Sequence, residues 1–154
     1  MTQGDICIKA DDDIMPLPGL ADDFIKWHDK LGPCISGIYG RTFQGPEYYG
    51  NTTQISGHKQ KEPVAVDFLG IITCSVRAFL PMDLRKCGTD IEDLYWHNYQ
   101  FPHVAKYVIP TDKYDNNLPE SRDAGRLCAD KEGRAVRRAF YTKCYNTNYR
   151  GLKK

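Results

Sequence analysis

The stretch from Glu62 to Leu80, EPVAVDFLGIITCSVRAFL, restricts the fold of this chain more than any other. Val64, Val66 and Phe68 alternate with Ala65 and Asp67, and the sequence then runs almost wholly apolar to Val76. Alternation suits a strand with one wet face, and a short uninterrupted apolar run suits a strand covered on both faces. A bilayer span needs about 20 apolar residues, so the run between Asp67 and Arg77 is far too short to cross a membrane. It predicts a central strand, or two strands joined at Gly70, at the core of a sheet.

The clearest helix precedes it. In PLPGLADDFIKWHDKLG, Leu20, Phe24, Trp27 and Leu31 fall on one stripe at helical spacing, and Gly32 is placed to end the helix. Asp22 and Lys26 on the polar side form a pair worth about 0.2–0.5 kcal/mol. From Pro33 to Lys61 the chain is rich in glycine and tyrosine, the texture of short strands broken by turns at Gly45-Pro46, Gly50-Asn51 and Ser56-Gly57. Thr89 and Glu92 stand at capping-box spacing and Pro102 ends the pattern, which predicts a helix from Asp90 to Tyr99 and a strand over HVAKYVI. Two helical segments follow, one from Pro119 and one over GRAVRRAFYTKC, where Val136, Ala139, Phe140 and Cys144 share a face. This order predicts an α+β fold: a single compact domain over residues 1–154, with a mainly antiparallel sheet and three or four helices. Residues 1–12 and 150–154 are expected to be flexible ends.

A chain of 154 residues that is 41% hydrophobic can bury an ordinary core without metal or disulfides. Six cysteines, at 7, 34, 74, 87, 128 and 144, nevertheless exceed ordinary cytosolic use, and no two form a C-x-x-C. At least two long-range disulfides are therefore expected, and with them a secreted or host-facing protein, effector-like or toxin-like. Reduced cysteines would instead place it in the cytoplasm. The N-terminal sequence lacks the basic and then apolar layout of a secretory signal. The net charge of +1 hides an acidic first 30 residues and a basic last 35, and a near-neutral whole disfavours a dedicated nucleic-acid binder.

Dinucleotide, P-loop, zinc-protease, calcium-loop and G-x-S-x-G patterns are all missing. What remains are scattered candidates. Cys74 as nucleophile with His103 as base would form a thiol site, oriented by Asp112 or Asn98, because a thiolate needs a nearby imidazole and the imidazole a fixed tautomer. HVAKYV, His103 to Val108, resembles the histidine-bearing strand of papain-like cell-wall peptidases over six residues, while that family's cysteine motif is missing. His58, Asp67 and Arg77 could handle a proton and neutralise an oxyanion in a small nuclease or glycosidase. His28, near the end of its helix, suits the negative end of the helix dipole. No histidine pair sits one helical turn apart, so neither a metal nor another cofactor is expected.

The C-terminal RAVRRAFYTKCYNTNYR mixes bases with aromatics. Arg134, Arg137, Arg138, Tyr141, Tyr145 and Tyr149 are the candidate partner-binding residues, since arginine and tyrosine offer charge and large rigid contact area. The reading favoured by the sequence is a non-enzymatic interaction protein. Its first expected partner is a protein and its second an anionic polymer or nucleic acid, with a small hydrolase as the alternative function.

Overall fold

In the computed structural model, which describes residues 5–11, 14–45, 52–76, 103–115 and 131–146, the apolar block becomes a nine-residue strand with neighbours on both sides. The elements are β1 (Ile6–Ala10), β2 (Met15–Pro16), α1 (Leu20–Leu31), β3 (Ile35–Phe43), β4 (Thr52–Ser56), a single 3-10 turn (Gly57–Lys59), β5 (Val64–Ala65), β6 (Phe68–Val76), β7 (Lys106–Val108), β8 (Tyr114–Asp115) and α2 (Lys131–Asn146). Six strands form one sheet in the order β1-β6-β3-β7-β5, with β4 also paired to β3, while β2 and β8 make a separate ribbon. Among the described residues every pairing is antiparallel except β3 with β7.

The class is α+β, but the expected three or four helices are corrected to two among the described residues. The helix expected at 90–99 and the one expected from Pro119 lie outside those residues. A stretch expected to be a loose N-terminus contains β1, whose Ile6 to Ala10 pair with Val76 to Ile72.

The sheet's most consequential feature is at Val66–Asp67. β5 and β6 are consecutive pieces of one bent strand: β5 pairs with β7, and β6 pairs with β3. Because β7 also pairs with β3, the hydrogen-bonded path closes on itself. The Val66 amide donates to Lys106 O and the Asp67 amide to Arg41 O, so the bend stays bonded on both sides. Inside lie Ile35, Leu69 and Val108, with Ile55, Val66 and Val104 packed against them. Gly40 leaves the room for this closure. A Cβ there would stand 2.7 Å from Val108 Cγ2 and 2.8 Å from Phe68 O, closer than packed atoms allow.

The opposite face carries α1. Leu20, Phe24 and Trp27 of the helix meet Ile38, Ile72 and Cys74 of the sheet, together with Ile14 and Ile109. Between Gly37 and Tyr39 the β3–β6 register shifts, because Ile71 and Ile72 both stand opposite Ile38. The extra residue, Ile71, has φ of 72°, a conformation costly for a β-branched side chain and held here within the bulge.

The disulfide expectation is also corrected. Cys7, Cys34 and Cys74 are free thiols, and no disulfide occurs among the described residues. Strand geometry explains it. Cys7 stands opposite Ser75, so it points away from the face that carries Cys74. Cys34 and Cys74 share a face but sit diagonally, because Ser36 takes the place opposite Cys74. Diagonal neighbours lie about 7–8 Å apart, beyond the reach of a disulfide. The inference to a secreted, effector-like or toxin-like chain rested on those bonds and loses its support. Among the described residues no helix is long and apolar enough to cross a membrane.

Candidate functional site

The described polar groups converge most where α1 begins. Two prolines bracket Leu17 in the run Met15-Pro16-Leu17-Pro18, removing donors and fixing the backbone, and Gly19 then turns through a left-handed φ of 84° into the helix. The run is tied down at the back: Met15 and Pro16 pair with Asp115 and Tyr114, and the Leu17 amide donates to Lys113 O. All four side chains face solvent, Met15 at 48% and Leu17 at 39% exposure.

Behind this ridge lies a polar brace. The Thr111 hydroxyl donates to Asp23 Oδ2 at 2.7 Å, and Lys113 Nζ donates to Asp23 Oδ1 at 3.0 Å. Asp23 belongs in the first helical turn, where a carboxylate also meets the positive end of the helix dipole. Beside the brace, His58 Nδ1 and the Tyr114 hydroxyl lie 2.8 Å apart. Partial burial, and then the Asp112 carboxylate, push the Tyr114 phenol above its usual range. The site is therefore a rigid apolar ridge rimmed by a histidine–tyrosine pair and an aspartate–lysine pair.

A second polar group is buried under α1. His28 falls one turn beyond Phe24, on the edge of the apolar stripe, and its Nε2 lies 2.8 Å from Ser36 Oγ. Cys34 Sγ is 4.0 Å from Nδ1. Burial pushes the His28 pKa down, opposed by Asp29 and by a hydrogen bond to the Cys74 backbone. The neutral ring thus belongs to the folded state and serves as a polar tie between helix and sheet, rather than as the dipole partner expected from its position.

The sign for stability follows. A folded pKa below the unfolded value of about 6.5 leaves the full contribution in place above that pH. Stability is lost as pH falls from there toward the folded pKa. Denaturant midpoints of the wild type are expected to drop below pH 6.5 more steeply than those of His28→Asn. Parallel curves for the two proteins would remove His28 as the cause.

The fold disperses the other expected site residues. Cys74 is fully buried, and burial raises its thiol to about 12, with Cys34 and Cys7 adding to the effect. Cys34 is likewise raised by burial to about 11. Neither supplies thiolate near neutral pH. His103 is exposed in the turn before β7. Asp67 Oδ2 accepts the Phe43 amide at 2.8 Å, fastening the end of β3 to the bend. His58 follows Ser56, which pairs with Tyr39, so it and Asp67 serve opposite ends of a segment about 13 Å long at ~3.3 Å per residue. Arg77, Asn98 and Tyr149 lie outside the described residues, as does the side chain of Tyr145.

On α2, Arg134 and Arg138 are exposed and Arg137 is half-buried. Tyr141, expected on the partner surface, is 1% exposed and packs against Phe43, with ring centroids 4.5 Å apart. Val136, expected in the core, is 45% exposed. The helix is rotated because Tyr141, and not Val136, is the large side chain that finds a socket.

Sequence reasoning missed the Met15–Pro18 ridge, although the signal was present: two prolines holding Leu17 cannot belong to a buried helix or central strand. Among the described residues no group of three histidine, cysteine or acidic side chains could hold a metal. The chain matches no family model and no curated protein.

Proposed function

We propose that this protein is a non-enzymatic interaction module that binds a protein partner through the Met15–Pro18 ridge. One observation carries the reading: four consecutive exposed residues, three of them apolar or proline around Leu17, are held rigid by the β2–β8 ribbon and the Lys113 carbonyl. An apolar ridge ordered before contact loses little entropy on binding, and a polar rim sets orientation. His58, Tyr114 and Lys113 supply such a rim.

The anionic-partner reading has less behind it. Arg134 and Arg138 face outward, but Tyr141, one of the aromatics that would stack on bases, is consumed in the core. The hydrolase reading would use Cys74 with His103, or His58 with Asp67, pairs that the fold does not join. Free thiols at Cys7, Cys34 and Cys74 suit a reducing compartment.

The test uses a photo-crosslinking side chain at position 17 to capture the partner in cells, followed by affinity measurement on the purified pair. Leu17→Glu is expected to weaken binding by tenfold or more, about 1.4 kcal/mol, without lowering the melting temperature. Unchanged affinity, or crosslinking without any discrete product, refutes the role of the ridge.

A further inference from the structure

Strand β7 places an ionisable side chain inside the sheet, where burial disfavours its charge. Its residues alternate, so Lys106 and Val108 point to one side and Tyr107 to the other. Val108 belongs to the enclosed cluster of Ile35 and Leu69, and Lys106 enters the same interior, only 8% exposed. An ammonium has three donors, and the bond from Nζ to Val104 O at 3.1 Å occupies one. The charged group it senses is Asp67, next to Val66, whose amide donates to Lys106 O.

The same face carries two further polar groups. Ser75 and Lys106 stand on either side of Ile35, and Thr73 and Val108 on either side of Gly37. The hydroxyls of Thr73 and Ser75 are buried and make no hydrogen bond among the described residues. Buried hydroxyls left unbonded cost free energy, and two of them two residues apart on one strand face mark a locus ready to receive oxygen atoms.

We propose that Lys106 is a nucleophilic amine that condenses with a small carbonyl compound, an aldehyde or an oxo acid, whose oxygens are met by the Thr73 and Ser75 hydroxyls. The ammonium first loses one proton to water. The amine lone pair then attacks the carbonyl carbon, forming a C–N bond. One amine proton moves to the oxygen to give the carbinolamine, which then loses its hydroxyl together with the last N–H hydrogen as one water, leaving C=N. No oxidant or reductant enters. Burial favours the free amine, lowering its pKa to about 8 against the opposing pull of Asp67. At pH 7.5 this gives Lys106 on the order of 100 times the free-amine fraction of an ordinary lysine.

Trapping with glyoxylate and cyanoborohydride at pH 7.5, read by peptide mass mapping of the folded wild-type chain, tests this directly. Lys106 is expected to be alkylated at least tenfold faster than the exposed Lys59 and Lys61, with the advantage disappearing in urea. The Thr73→Val, Ser75→Ala double variant is expected to lose most of that advantage while retaining its circular dichroism. Because the rate comparison needs no substitution, misfolding of a variant cannot obscure it. Labelling of Lys106 no faster than Lys59 and Lys61 overturns the proposal. The reaction is independent of the Met15–Pro18 ridge, so either idea can fail alone.

Discussion

Gly57→Ala is expected to lower the free energy of unfolding by about 3 kcal/mol, the upper end of the cost of overpacking a tight site. Gly57 opens the 3-10 turn after β4 and is buried against the chain that leaves β7. A Cβ there would overlap Ile109 O and stand 3.3 Å from both Ile38 O and Thr111 O. All three atoms are backbone, so no side chain can rotate out of the way. Relief requires the turn to lift, and that would also pull His58 from Tyr114. Urea denaturation of the variant checks the magnitude, and a loss below about 1 kcal/mol would mean that the turn moves freely.

Tyr141→Ala is expected to cost about 3–5 kcal/mol, in line with removing a buried aromatic ring, whereas Tyr141→Phe should cost about 1 kcal/mol. The two substitutions separate packing from hydrogen bonding. The ring fills a socket beside Phe43, and the hydroxyl donates to Gly45 O at 2.9 Å. Phenylalanine keeps the first contact and loses the second. Equal midpoint shifts for the two variants in urea would show that the socket does not depend on the ring.

These residues also show what could be read in advance. The central strand and α1 were legible because each carries its own periodicity: a continuous apolar run in β6, and Leu20, Phe24 and Trp27 at helical spacing in α1. The orientation of α2 was not. The sequence puts Val136 on the core face and Tyr141 on the partner surface, and a ring far along the chain, Phe43, exchanges them. The disulfide expectation failed for a related reason: counting thiols gives no account of which sheet face each occupies, and strand register decides that for Cys7, Cys34 and Cys74.

The candidate sites were less legible than the fold. His28 offered a clue in its place one turn beyond Phe24, but Ser36, its buried partner, is an unremarkable serine until β3 slides beneath α1. Lys106 was visible as a break in apolar periodicity, flanked at two-residue spacing by Val104 and Val108. Only the closing of β5 against β7 turns that break into a buried amine. Asp67 interrupts its apolar strand in the same way, and it bonds the Phe43 amide at the bend.

The closure at Val66–Asp67 also sets an order of events during synthesis. β3, β4 and β6 are near neighbours in sequence and can pair, with β3 between the other two, once Val76 has left the ribosome. The ring cannot close then, because its last segment, Lys106–Val108, has yet to be made. Until it arrives, one edge of β3 at Ile35–Gly37 and the edge of β5 both present unpaired backbone beside the apolar Ile35 and Leu69. The nascent chain therefore passes through an interval in which its own interior is an open strand edge, the kind of surface that invites pairing with a second chain.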